Sequence, residues 1–297
     1  RQIAAIILGL SLFAVTSLLP PPENMSPTAW HVAGIAALMA LWWITEALPI
    51  PVTALVPIVA FPLSGIASLN AAAAPYANPL IFLFLGGFLL ALGLERWNLH
   101  RRIALTILKR SGARPSALIG GFLLAAAGLS MWVSNTATAM MMLPIGLSVI
   151  GLLHTAGVTA LPPVEDRNFA VALLLAIAYG ASIGGLGTLI GTPPNALFAA
   201  YLMEAHGISV GFGQWMLLGV PLVAALLPLA WLILTRLAFP VGGAVITGAD
   251  QVIADELTAL GPMSRPEMCV AGIFGATATL WIIRPAINTL APGLSLS

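Results

Sequence analysis

The sequence predicts an all-α integral membrane protein that crosses the bilayer many times. Three observations predict it. Charged residues make up only 7% of the chain against 60% hydrophobic, where a soluble domain carries about a quarter charged residues. The mean hydropathy is +1.03. Apolar runs recur from one end to the other, separated by proline, glycine and short polar stretches, and the length holds about eight to ten membrane-crossing or re-entrant segments at roughly 20 residues each. The same composition limits function. No basic patch suggests a nucleic-acid partner. The single cysteine, Cys269, excludes an internal disulfide and a cysteine metal cluster.

The elements follow in order. Arg1-Gln2 precedes the first apolar run; no small-residue cleavage site follows, so the run reads as an uncleaved first helix rather than a signal peptide. The lack of an initiator methionine and the stop at Leu296-Ser297 suggest trimmed ends. The expected spans are Ile3–Leu19, Trp30–Ala47, Val52–Ile66, Pro79–Leu94, Ala117–Val133, Ala137–Leu153, Phe169–Leu186, Pro193–Ala205, Trp215–Leu237 and Met268–Ile283. Pro20-Pro21-Pro22 and Pro49-Ile50-Pro51 punctuate loops. Gly242–Pro266 reads as the one long polar loop, with Asp255-Glu256 in a solvated turn.

Six of the eleven Lys and Arg residues crowd into one stretch: Arg96, Arg101, Arg102, Lys109, Arg110 and Arg114. Cytoplasmic loops carry such an excess, so this stretch is placed inside. Arg1, Arg167 and Arg265 also fall inside if the spans alternate as given. Leu99, Ile103, Ile107 and Leu108 recur at helical spacing opposite the cations. That pattern fits an amphipathic helix on the inner membrane surface or an ordinary cytoplasmic loop.

Two uncharged segments stand out. No Asp, Glu, Lys or Arg occurs from Pro115 to Val164, yet the middle reads Ser130-Met131-Trp132-Val133-Ser134-Asn135-Thr136-Ala137-Thr138. An asparagine with several hydroxyls is costly in hydrocarbon unless satisfied. The segment is either two ordinary spans joined by a polar outer turn or a re-entrant hairpin whose tip faces a protein-lined cavity; small hydroxyl residues serving only helix packing would look similar. The second segment runs from Gly180 through Gly191-Thr192-Pro193-Pro194-Asn195. Two consecutive prolines supply no amide donors, and Pro193 disfavours helix at Thr192. A helix therefore breaks here, or kinks, and a new half-helix can start with Thr192 as N-cap and Pro193 first. Such a start points amide donors and a positive dipole end into the break. Hydroxyls and unwound carbonyls suit a sodium ion, and broken helices at the midplane recur in secondary transporters. With no Lys or Arg in either segment, an anion there would depend on amide and hydroxyl donors and on the bound cation itself.

The string Ser130 to Pro144, with Ser134-Asn135-Thr136 at its centre, resembles the Ser-Asn-Thr signature of the divalent anion/sodium symporter family. Gly191-Thr192-Pro193-Pro194-Asn195 resembles that family's broken-helix motif, and Trp43-Ile44-Thr45-Glu46-Ala47-Leu48-Pro49-Ile50-Pro51 its early stretch. The resemblance implies a homodimeric inner-membrane transporter, multi-pass in membrane lipid, that moves small di- or tricarboxylate anions such as succinate, malate, fumarate or citrate by alternating access, with Na+ as the coupling ion. It implies two inverted repeats, of which this chain would hold one and the start of the second. It assigns residues 1–114 to scaffold helices and a cytoplasmic connector. Residues 115–237 become transport-domain elements: the hairpin 115–153, the broken helix 168–206 and a following helix 214–237. Residues 238–297 become a cytoplasmic loop and the start of the second repeat. By position it implies sodium ligands at Ser130, Ser134, Asn135 and Gly191. Substrate contacts are implied at Asn135, Thr136 and Thr192, with Pro193 and Pro194 shaping the pocket. The sequence departs from the family at one place: no second Ser-Asn-Thr occurs, since Asn288-Thr289 follows Ile287.

Other classes fit less well. An intramembrane protease needs a Gly-x-Ser-Gly turn with a partner histidine, and His31, His100, His154 and His206 fall near predicted span ends. Prenyl-transfer enzymes need acidic metal clusters, and no Asp-Asp pair exists. A proton-coupled or exchange transporter on the same fold would recruit an embedded carboxylate; Glu46 and Glu95 are the candidates, and both fall at predicted helix ends.

Overall fold

The structure is a computed structural model and describes residues 2–153, 163–243, 245–246 and 248–290. Arg1, His154 and Leu296-Ser297 lie outside the described residues. The described chain is all helix. Five helical stretches are long and apolar enough to cross a membrane: Pro27–Thr45, Leu69–Arg96, Val164–Gly187, Phe212–Ala238 and Arg265–Arg284. Shorter apolar helices cover Gln2–Leu18, Ile50–Leu63, Pro115–Ser130 and Asn135–Gly151. Large apolar side chains cover the outside, among them Leu63, Phe82, Leu89, Leu217 and Leu218. Long apolar helices with large exposed apolar side chains in each unit are what lipid contact requires, so the chain is a multi-pass membrane protein. Helical spans of this kind belong to an inner membrane, the outer membrane being served by barrels.

The chain divides into two compact units, residues 1–82 and 83–297. The first contains α1 (Gln2–Leu18), α2 (Pro27–Thr45), α3 (Ile50–Ala54), α4 (Val56–Leu63) and α5 (Leu69–Ala73). Ser26 caps α2 by accepting from the Ala29 amide at 3.2 Å. α1 and α2 pack through small residues. Trp42 Nε1 donates to the Ala5 carbonyl at 3.2 Å, over Gly9, where a Cβ would lie 2.3 Å from that nitrogen. Glu46 is the exposed C-cap of α2, in a left-handed conformation with φ 49°.

α6 (Pro79–Arg96) leads into α7 (Leu99–Ser111), α8 (Pro115–Ser130), α9 (Asn135–Leu153), α10 (Pro163–Gly184), α11 (Pro193–His206), α12 (Phe212–Leu232), α13 (Ala249–Ala259) and α14 (Arg265–Leu290). The core of this second unit lies between α7, α8, α9 and α10, with Leu105, Leu108, Phe122, Met142, Phe169 and Leu173 closed off from solvent. The cation-rich stretch is therefore a helix. Its buried face runs through Leu99, Ala104, Leu105 and Leu108, while Ile103 stays exposed. His100, expected near an interface, is buried, with Nδ1 2.9 Å from the Leu94 carbonyl.

The segment expected to be a polar loop contains a helix instead. α13 carries Ile253 into the core, so the acidic residues Asp250, Asp255 and Glu256 lie on a helix around that buried stripe rather than in a coil. Glu256 is not in a solvated turn; it pairs with Arg101. Arg102 makes the stronger contact. Its Nε and Nη2 donate to the two oxygens of Glu267 at 2.5 and 3.1 Å, and Nη1 donates to the Gly261 carbonyl at 3.0 Å. The hydrogen-bonded Glu267 carboxylate holds the Arg102 guanidinium above its ordinary pKa. Ser264 and Glu267 exchange capping hydrogen bonds at 3.3 Å each. One arginine thus ties α7 to the turn before α14 and to the first turn of α14.

Candidate functional site

The uncharged hairpin is α8 and α9 joined by the four residues 131–134. Its arms are 16 and 19 residues long, about 24 and 28 Å at 1.5 Å per residue. Ser134 caps α9 from just before its first residue, its hydroxyl accepting from the Ala137 amide at 3.2 Å. Trp132 at the tip packs edge-on against Phe274, ring centroids 4.9 Å apart, and lies 5.9 Å from Phe212. The buried hydroxyl of Ser130 donates to Asn135 Oδ1 at 2.5 Å, so the last residue of one arm is bonded to the first of the other.

The second segment is a broken helix. α10 ends at Gly184, one 3-10 turn covers Gly185–Gly187, and Thr188 is extended. α11 then starts as the prolines require. Thr192 is the N-cap in extended conformation (φ −148°, ψ 143°), with proline in the first turn. The Thr192 hydroxyl makes no capping bond, which leaves it for another partner. The opened backbone is held by side chains: Trp215 Nε1 donates to the Leu186 carbonyl at 3.0 Å.

The hairpin sits directly on the break, because glycine lets two backbones approach. A Cβ at Gly184 would lie 2.2 Å from the Ala127 carbonyl oxygen, and one at Gly185 would lie 2.7 Å from Asn135 Oδ1. Gly191 folds back on the same place, a Cβ there falling 2.5 Å from the Gly185 carbonyl oxygen. Of the residues singled out in the sequence, the structure thus groups Ser130, Asn135 and Gly191 around Gly185. Ser134, Thr136, Pro193 and Pro194 are exposed, and Thr192 is half-buried. Sodium favours several oxygen ligands without a strong geometric demand, and this donor set fits: two side-chain oxygens and unwound carbonyls, in a place where added carbon would clash. Among the described residues no three His, Cys, Asp or Glu side chains gather as a metal cluster. The Thr138 hydroxyl, one turn into α9, is buried with no hydrogen-bond partner.

Sequence reasoning gave no role to three residues here, although Asn195 closes the broken-helix motif it singled out. Thr188 bonds the break to the tip, Asn195 ties the break to α11, and Trp215 holds the Leu186 carbonyl. An asparagine right after two prolines in an uncharged stretch was a usable signal for Asn195; nothing local marks Thr188 or Trp215.

Fold and site together define a helical membrane protein in which a hairpin tip meets a broken helix. A family described as "Sodium:sulfate symporter transmembrane region" matches residues 1–294, and the chain belongs to that family. It is 42% identical over 283 residues to the "Sodium-dependent dicarboxylate transporter SdcS" of Staphylococcus aureus strain USA300, covering 95% of this chain and 54% of the relative. The protein of the same name from strain NCTC 8325 / PS 47 matches with the same identity and coverage. The chain therefore spans about half the length of the curated relatives it matches. The family is one of transporters, not enzymes, which sets aside the intramembrane-enzyme alternative.

Proposed function

We propose that the complete protein is a sodium-coupled secondary transporter of small di- or tricarboxylate anions. The observation that carries this reading is the neutral, oxygen-lined meeting of tip and break. With no basic side chain there, an anion's charge has to be offset by amides, hydroxyls and a co-bound cation, and that requirement couples the two. The relatives' name, a sodium-dependent dicarboxylate transporter, points the same way.

In this reading Ser130, Ser134, Asn135 and the Gly191 backbone hold a sodium ion. Asn135, Thr136 and Thr192 meet a carboxylate, and Pro193 and Pro194 keep α11 starting at the pocket. The positive end of the α11 dipole adds to the attraction. The hairpin is re-entrant, residues 1–114 belong to a scaffold, residues 115–237 move with the cargo, and the protein works as a homodimer in membrane lipid. The proton-coupled alternative is disfavoured by where its two carboxylates lie: Glu46 is an exposed cap, and Glu95 is one residue from the end of α6.

The test is uptake of labelled succinate by the full-length protein in proteoliposomes. An inward sodium gradient is expected to drive accumulation, and replacing sodium by choline is expected to abolish it. Equal uptake in choline, with a pH gradient able to substitute, would favour the proton-coupled alternative.

A further inference from the structure

We infer that Thr188 and Asn195 form a latch that joins the hairpin tip to the helix break, fixing the ion-site oxygens without touching ion or substrate. The inference rests on the sodium-coupled reading above. Asn195, in the first turn of α11, is 4% exposed. Its Nδ2 donates both hydrogens, to the Gly185 carbonyl at 2.8 Å and the Thr188 carbonyl at 2.7 Å. One side chain thereby holds the start and the middle of the unwound stretch. Thr188 is closed off from solvent, and its hydroxyl donates to the carbonyl of Met131, the first residue of the tip. The chain of bonds runs from α11 through the break to the tip, ending beside the Ser130–Asn135 pair.

A primary amide with both hydrogens engaged, in apolar surroundings, has one favourable arrangement, and leaving a buried carbonyl unpaired is costly. Tip and break are therefore held as one body. That matters because the proposed ligand oxygens come from both segments. Held at fixed spacing, they need little ordering when sodium enters; set free, they must be ordered by the ion itself, which weakens its binding. Thr188 and Asn195 are positioning residues in this scheme.

The test compares Thr188→Val with Thr188→Ser in the full-length protein in proteoliposomes. Valine keeps the shape and loses the donor; serine keeps the donor and loses a methyl. Thr188→Val is expected to raise the half-saturating sodium concentration about tenfold, the scale of one lost buried hydrogen bond. The succinate KM at saturating sodium should move less than about twofold, and Thr188→Ser should stay within about twofold of wild type throughout. A packing role predicts the reverse order, serine being worse than valine. In case Thr188→Val does not fold, hydrogen exchange on the wild-type protein asks the same question: sodium should slow exchange at the tip and at the break together. A sodium-dependent wild type with unchanged sodium half-saturation in Thr188→Val, or sodium protection of the tip alone, would overturn the latch and leave the transport reading standing. Wild-type uptake indifferent to sodium would overturn both.

Discussion

Replacing Asn135 by alanine is expected to lower the apparent affinity for both sodium and succinate by about tenfold to a hundredfold in the full-length protein. A lost hydrogen bond to a charged partner costs about 1.5–3 kcal/mol. Asn135 stands in both proposed ligand sets, and no charged side chain occurs from Pro115 to Val164 to take over. Its removal also leaves the buried Ser130 hydroxyl without the acceptor it now uses. Thr192→Val should act differently. The Thr192 hydroxyl makes no capping bond, so its loss should raise the succinate KM while leaving thermal stability nearly unchanged. Thr258→Val, on the exposed side of α13, serves as the control and should alter neither. Uptake measured against sodium and against succinate, at matched expression, checks all three. Equal small effects at Asn135, Thr192 and Thr258 would mean that tip and break are packing features.

The second large effect is on stability. Arg102→Ala should lower the unfolding free energy by about 3 kcal/mol, the low end for breaking a buried ion pair. Glu267 is 3% exposed and would lose its bidentate partner, while Arg102 keeps 20% of its side chain in solvent, which holds the cost at that low end. Arg102→Lys should recover only part of the loss, since an ammonium cannot reproduce the two-pronged contact. Arg101→Ala should cost under about 1 kcal/mol, because both members of its pair with Glu256 are about one-third exposed. Thermal unfolding in detergent ranks the three variants. A ranking with Arg101→Ala at or above Arg102→Ala would contradict the anchoring role given to Arg102.

Much of this architecture could be read in the sequence because bilayers and prolines leave few choices. A run such as Trp215–Leu237 has only one way to satisfy its backbone in hydrocarbon, and it is helical through α12. Pro193-Pro194 forces a helix start, and the start falls where Thr192 predicts it. Legibility ends where tertiary context decides. α13 was missed because Asp250, Asp255 and Glu256 make the segment look soluble; its helical pattern, Val252-Ile253 and then Leu257, pays off only against the core that α7 to α10 build. Arg102 looked like one of six loop cations, and its partner lies 165 residues away. The Thr188–Met131 contact spans 57 residues and leaves no local trace. The grouping of Ser130, Asn135 and Gly191 came from family resemblance rather than from spacing, since spacing alone does not show that Gly184 and Gly185 let the hairpin settle onto the break.

The central proposal is that tip and break form one site shared by ion and anion, and thiol labelling at the tip tests it most directly. Cys269 is exposed and is first replaced by serine. Thr136→Cys is then introduced into the full-length protein in membrane vesicles and treated with a small charged thiol reagent. A shared site at tip and break predicts labelling that succinate slows only when sodium is present, because the anion needs the cation to bind. Labelling from outside at the same rate with or without sodium and succinate would place Thr136 in an ordinary external turn. That result would contradict the account.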